Sequence, residues 1–462
     1  MGSSENKFDL IIIGGGPAGY NAAIRASEEG LKMALFEERA LGGVCLNEGC
    51  IPTKTLLYSA KIADSARHGA DYGVKVDSVS LDHAAIIKRK NRVVRTLTGG
   101  VAASLRTACV TVLRESAKID GRALSGEGFI VSAGGEKFIA KRLLLCTGSY
   151  AFIPPIPGID EAVTAGYAVT SREILSLSSI PPRLIVIGGG VIGLELASYF
   201  NSAGSDVTVI EAMPQIAGAT DSDISAILLR NHEAKGIKFK LCAKVTSVRD
   251  GTVTYESGGQ VATLDADLIL VAVGRRPKTD AVGLENIGVR TNRGAILTDD
   301  ACRTSVPGVF AAGDCNGKSM LAHTAYREGE VAINVMTGLR DTVDYNAIPA
   351  VIYTNPEVAD VGETENSAKA KGIDVKTATV PLVYSGRYVA ETEYGDGILK
   401  LVVGKQHNNV LGVHMIGPCA SEIIYGAAML VAREVRLDEL RRAVFPHPTV
   451  GEALREAAFM IK

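Results

Sequence analysis

The stretch Phe8-Asp9-Leu10-Ile11-Ile12-Ile13-Gly14-Gly15-Gly16-Pro17-Ala18-Gly19 decides the fold. Its apolar run reads as a buried parallel strand. The strand ends in a G-x-G-x-x-G, a helical stretch follows to Gly30, and a second strand, Lys32 to Phe36, ends at Glu37. This is a complete dinucleotide-binding βαβ unit. Gly14 makes the turn, Gly16 lets the backbone approach a pyrophosphate, Gly19 lets helix and strand pack closely, and Glu37 can bond a ribose hydroxyl.

The pattern recurs. Arg183-Leu184-Ile185-Val186-Ile187 is a strand, Gly188-Gly189-Gly190-Val191-Ile192-Gly193 a second G-x-G-x-x-G, and Asp206 to Ile210 a strand ending at Glu211. First glycine to acid is 23 residues in both units (37 − 14 and 211 − 188). Two such units imply two nucleotide cofactors exchanging electrons. An acid at the strand end accepts from a ribose 2′-OH and repels a 2′-phosphate. The next arginine after Glu211 is Arg230, so the second unit favours NAD over NADP.

Between the units lies Gly42-Gly43-Val44-Cys45-Leu46-Asn47-Glu48-Gly49-Cys50-Ile51-Pro52-Thr53-Lys54. Proline is favoured in the first turn of a helix, which places Cys50 at or just before a helix N-terminus. The positive dipole end there favours a thiolate. Cys45, on the loop, is free to reach it, and such a pair can cycle between dithiol and disulfide. A zinc site would bring a second ligand pair at short spacing, and none follows. We therefore expect no metal.

The end of the chain carries Phe445-Pro446-His447-Pro448-Thr449-Val450-Gly451-Glu452. A carboxylate bonded to an imidazole orients the ring and raises its basicity. His447 and Glu452 thus read as an acid/base pair, which a thiol enzyme needs.

The 462 residues allow two to four domains. A formal charge of −2 argues against nucleic acid or an anionic membrane as partner. No apolar run is long enough for a transmembrane helix, and Met1 to Lys7 lacks the features of a secretory leader. Six cysteines (Cys109, Cys146, Cys242, Cys302, Cys315, Cys419) are scattered and read as buried small hydrophobes of a reducing compartment. A cytoplasmic location follows. Lys88-Arg89-Lys90 with Arg92 and Arg95 reads as a solvated helix face. Val351 to Ala359, Gly397 to Val403 and Val410 to Ile416 read as strands of a smaller terminal domain. His414 on one of them reads as structural.

Together these motifs resemble the flavin disulfide reductases, the class I pyridine nucleotide-disulfide oxidoreductases, and most closely the dihydrolipoamide dehydrogenase branch. The resemblance covers almost the whole chain, with further matches at Leu321-Ala322-His323 and Tyr353 to Ala359. It implies an α/β fold: two Rossmann-like dinucleotide-binding domains, for FAD and NAD, plus a C-terminal α+β dimerisation domain. The expected boundaries are 1–150 for FAD, 151–275 for NAD, 276–345 for a central segment completing the FAD site, and 346–462 for the interface.

The resemblance also implies roles. Gly14, Gly16, Gly19 and Glu37 hold the ADP half of FAD, and Asp314 its ribityl chain. Gly43, Gly148, Ala322 and Gly274 are further cofactor-binding positions. Lys54 lies near the flavin and pairs with Glu195. Gly188, Gly190, Gly193 and Glu211 hold NAD. Cys50 faces the flavin, Cys45 exchanges with substrate, and His447, oriented by Glu452, comes from the other subunit of a homodimer. The implied reaction oxidises dihydrolipoamide on a lipoyl carrier domain, or on the H-protein of a glycine-cleavage complex, and reduces NAD+. The alternatives are another NAD(P)H-dependent disulfide reductase of the family, or a non-catalytic FAD-binding subunit. A glutathione-type reductase would want arginines after the second unit's strand, and a mercuric reductase a C-terminal cysteine pair. Both are missing from the sequence.

Overall fold

The computed structural model describes residues 6–123 and 128–462. Residues 1–5 of the N-terminal stretch read above for a leader lie outside the described residues. The chain forms two compact units, Met1–Thr55 with Lys88–Phe152 and Gly274–Val343, and Leu56–Ile87 with Ile153–Val273 and Asp344–Lys462.

The first unit is built on a seven-stranded sheet. Strand Lys7–Ile13 is central, in parallel register with Met33–Phe36 on one side and Glu136–Leu145 on the other. Val309–Ala311 extends Glu136–Leu145 in parallel, and Phe129–Ala133 and Lys118–Arg122 continue it antiparallel. Ile11, Leu35, Leu143 and Ala311 are fully buried, as expected of strands covered on both faces. The C-terminal ends of Lys7–Ile13, Glu136–Leu145 and Val309–Ala311 all open into glycine-containing turns, and those turns carry the site.

The second unit holds a five-stranded parallel sheet in the order Lys238–Lys240, Asp206–Ile210, Arg183–Ile187, Leu268–Val271, Ala168–Val169. A three-stranded antiparallel sheet, 243–265, belongs to the same unit. Its last part is an antiparallel sheet ordered Ala350–Ile352, Glu357–Gly362, Val410–Gly417, Ile398–Gly404, Val375–Pro381. Helices Ala420–Ala432 and Glu452–Met460 share a buried core with this sheet.

Four local expectations are corrected. Cys45 is not on an open loop but inside a short helix, Gly43–Glu48, which begins after Gly42 in the left-handed region (φ 91°). Val351 to Ala359 is two strands rather than one, because Pro356 has no N–H for a ladder and its segment turns. Cys109, Cys242 and Cys419 are exposed, each at a turn with positive φ. Lys90 is only 4% exposed, so the basic run is not wholly a solvated face. No helix of the described residues is long and apolar enough to cross a membrane.

Candidate active site

Each G-x-G-x-x-G turn is shaped by its own glycines. Gly14 takes φ +112°, and a Cβ there would lie 2.1 Å from the Cys146 carbonyl oxygen. A Cβ on Gly19 would lie 1.8 Å from the Gly14 oxygen. Gly188 and Gly193 repeat this, with φ +108° and a 2.1 Å contact to the Gly188 oxygen. The helices that follow, Pro17–Glu28 and Val191–Ser202, are 12 residues each. Their N-caps match, Gly16 at φ −76°, ψ −171° and Gly190 at φ −78°, ψ −179°, and neither has a side-chain cap. Uncapped first-turn N–H groups at a positive helix end make a ready anion site.

The acids close the turns. Glu37 accepts from the Gly15 N–H at 2.7 Å and from the Arg39 and Ala40 N–H groups at 2.8 and 3.1 Å. Glu211 accepts from the Gly189 N–H at 2.7 Å and the Met213 N–H at 2.8 Å. Thr147, at the end of strand Glu136–Leu145 before Gly148 (φ +72°), has a buried hydroxyl with no partner among the described residues. A Cβ on Gly190 would meet nothing within 4 Å, leaving its backbone open to approach. These turns fit two dinucleotides.

The thiol pair is seated on the first turn. A Cβ on Gly43 would come within 2.7 Å of Gly16 Cα, and the Gly42 N–H donates to the Gly15 carbonyl at 2.8 Å. Helix Cys50–Arg67 starts at Cys50 itself, after Gly49. Both cysteines are half-buried. The hydrogen bond to Cys50, then burial, then the charge on Cys50 hold the Cys45 thiol well above the usual cysteine range, while Lys54 acts against them. Cys45 is therefore the member that keeps its proton.

Several neighbours escaped the sequence reading. The Tyr20 and Tyr326 hydroxyls lie 2.5 Å apart, from helices Pro17–Glu28 and Ala322–Met336. Burial, then the bond to Tyr326, raise the Tyr20 phenol above its ordinary range. Arg275 follows Gly274 (φ +123°) on strand Arg275–Pro277. It donates to the Ser149 hydroxyl at 2.7 Å, and that hydroxyl donates to Asp314 at 2.5 Å. Burial lowers the Arg275 pKa, with Asp314, Glu48 and Cys50 opposing. Glu328 is fully buried and accepts from the Gly313 N–H at 2.5 Å and from Asn316 at 2.8 Å, fixing the turn that presents Asp314. Nothing local set it apart in the sequence, since the same helix, Ala322–Met336, carries a second acid at Glu330.

In the second unit, Glu195 is buried and accepts from the Tyr353 N–H at 2.9 Å. His447 Nδ1 lies 2.9 Å from Glu452 Oε1, and the Thr449 N–H donates to Oε2 at 2.9 Å. His414 is buried, bonded through Nε2 to the Glu363 carbonyl at 2.9 Å.

Residues 8–329 match the family model described as pyridine nucleotide-disulphide oxidoreductase. The chain belongs to this family. Residues 348–458 match the dimerisation domain of the same pyridine nucleotide-disulphide oxidoreductases. The chain is 39% identical to mitochondrial dihydrolipoyl dehydrogenase 1 of Arabidopsis thaliana over 99% of its own length and 90% of the relative's. It is also 39% identical to dihydrolipoyl dehydrogenase of Geobacillus stearothermophilus, over 99% of this chain and 97% of that one. Among solved structures it superimposes on the HOCl-induced flavoprotein disulfide reductase RclA from Escherichia coli with a TM-score of 0.84. That match covers 98% of this chain and 100% of RclA at 28% identity. The FAD- and NAD-binding α/β fold with a C-terminal dimerisation domain, expected from the sequence, is that of this oxidoreductase family.

Proposed function

We propose that this chain is a dihydrolipoyl dehydrogenase, a flavoprotein that oxidises dihydrolipoamide through a Cys45–Cys50 disulfide and reduces NAD+ to NADH. The observation that carries this is the seating of the thiol helix, through Gly43, against the first dinucleotide turn at Gly16. We assign FAD to residues 1–150 and 276–345, NAD to 151–275, and dimerisation to 346–462. Gly14, Gly16, Gly19, Glu37, Gly43, Gly148, Asp314 and Ala322 would hold FAD. Gly188, Gly190, Gly193, Glu211 and Gly274 would hold NAD, and Lys54 and Glu195 are further cofactor-binding residues.

His447, oriented by Glu452, takes a proton from one substrate thiol. The resulting thiolate attacks Cys45 Sγ, the Cys45–Cys50 bond breaks, and Cys50 leaves as thiolate. The second substrate thiol then attacks the substrate sulfur of the mixed disulfide, its proton passing to His447 as the ring gives up the first one, and the lipoyl disulfide departs. Cys45 leaves as a thiol, protonated from His447, which suits its raised pKa. Bound FAD supplies two-electron chemistry between the dithiol and NAD+. His447 acts on the thiols of the other subunit of a homodimer. The substrate is carried by a lipoyl domain, or by the H-protein of a glycine-cleavage complex, in the cytoplasm.

The test is anaerobic reduction of the flavin-loaded protein by dihydrolipoamide, followed by flavin bleaching, in the parent chain and in Cys45→Ser. Bleaching in the parent and its loss in the variant are expected. Equal bleaching in both would remove Cys45 from the reaction. Bleaching by NADH but not by dihydrolipoamide would favour a different disulfide substrate.

A further inference from the structure

Lys400 lies on strand Ile398–Gly404 of the C-terminal sheet and is 5% exposed. Its ammonium lies 3.1 Å from Asp221, 3.0 Å from Asp223 and 3.4 Å from Glu365. Asp223 and Glu365 are half exposed, but the Asp221 side chain is 2% exposed. Asp221 also caps helix Ser222–Ala234, accepting from the Asp223 N–H at 3.0 Å. His414 stands opposite Lys400 in the ladder, and Asp360 opposite His414.

Asp221 ends the loop that starts at Glu211, and this loop grips the second glycine turn from both sides. The Gly189 N–H donates to Glu211 at 2.7 Å, and the Gly189 carbonyl accepts from the Ala217 N–H at 2.8 Å. The Ser225 hydroxyl, from the helix Asp221 caps, donates to the Ile216 carbonyl at 2.9 Å. Ile216 and Ala217 are buried with Leu194 of the glycine-turn helix and with Ile352, Val358 and Ile416 of the C-terminal sheet. That apolar contact already provides adhesion. A buried ion pair adds little net stability to it, but it fixes one geometry, because the alternatives leave a buried charge unpaired.

We propose that Lys400 is a positioning residue for the nicotinamide nucleotide. Through Asp221 it fixes the 211–221 loop, and with it Glu211 and the Gly188–Gly193 turn. This rests on the reading of the second glycine turn as the NAD site.

The test compares Lys400→Met, Lys400→Arg and Asp221→Asn in the full-length, flavin-loaded protein, with Glu211→Ala as control. The readouts are the NAD+ dissociation constant by calorimetry, KM for NAD+ and for dihydrolipoamide, flavin content and melting temperature. Lys400→Met should weaken NAD+ binding about three- to tenfold, with flavin content and KM for dihydrolipoamide unchanged. Lys400→Arg should restore most of that binding. Asp221→Asn keeps a capping acceptor but removes the charge, so it should weaken NAD+ binding as Lys400→Met does. It carries the test if the methionine variant does not fold. Unchanged NAD+ binding in these variants, with Glu211→Ala weakened, would overturn the role of Lys400 and leave the NAD site standing. Unchanged binding in Glu211→Ala would overturn the NAD reading itself.

Discussion

His447 Nδ1 and Glu452 Oε1 stand 2.9 Å apart where the last helix begins. The Thr449 N–H, then His447, hold the Glu452 carboxyl below its usual range. The lowered value means Glu452 stays ionised through mildly acidic pH, and its hold on the ring is lost only as pH falls through that lowered value. The ring therefore keeps its Nδ1 proton on the carboxylate and presents Nε2 as the base. Replacing His447 with Gln should cut turnover about 10²- to 10⁴-fold. Glu452→Gln should cost about 10- to 100-fold. Steady-state rates with dihydrolipoamide check both, and a near-parental rate for His447→Gln would refute its role as base.

Glu328 makes a second prediction. It is fully buried and takes two hydrogen bonds from the turn that presents Asp314. Leaving a buried donor without its acceptor costs about 1–3 kcal/mol. Glu328→Gln turns one acceptor into a donor facing another donor. We expect a lower flavin-to-protein ratio after dialysis, measured by absorbance, and a lower melting temperature. An unchanged ratio would mean that Asp314 does not need this brace.

His232 should make the protein acid-sensitive. It is fully buried in helix Ser222–Ala234, and neither ring nitrogen has a partner among the described residues. Burial, with a smaller effect of Lys235, lowers its pKa from 6.5 to about 3. Between those values the unfolded chain binds a proton that the native one does not. Stability from this group is therefore complete above pH 6.5 and falls as pH drops toward 3, by about 2 kcal/mol at pH 5. Urea midpoints at pH 7 and pH 5 should diverge less in His232→Leu than in the parent chain. An equal divergence would place the acid sensitivity elsewhere.

The repeated turns were legible because their determinants are local. Three glycines and an acid at fixed spacing dictate each turn, and the structure gives Gly16 and Gly190 nearly the same dihedrals. The His447–Glu452 pair was legible for the same reason, being five residues apart. What the sequence hid depends on distant partners. Tyr20 meets Tyr326 across 306 positions, and Arg275 meets Ser149 across 126. Nothing in a lysine flanked by leucines says that Lys400 finds Asp221. The short helix around Cys45 was missed because Gly42 and Gly43 read as a loop, whereas their positive φ values start a helical turn.

The most direct test of the central claim is the initial rate of NADH formation from dihydrolipoamide, with NAD+ and NADP+ compared side by side on the flavin-loaded protein. The account predicts fast turnover with NAD+ and little with NADP+, because a carboxylate at the end of the second unit's strand, Glu211, accepts from a ribose 2′-OH and repels a 2′-phosphate. No turnover with either nucleotide, from a protein whose flavin NADH can bleach, would contradict dihydrolipoamide as the substrate.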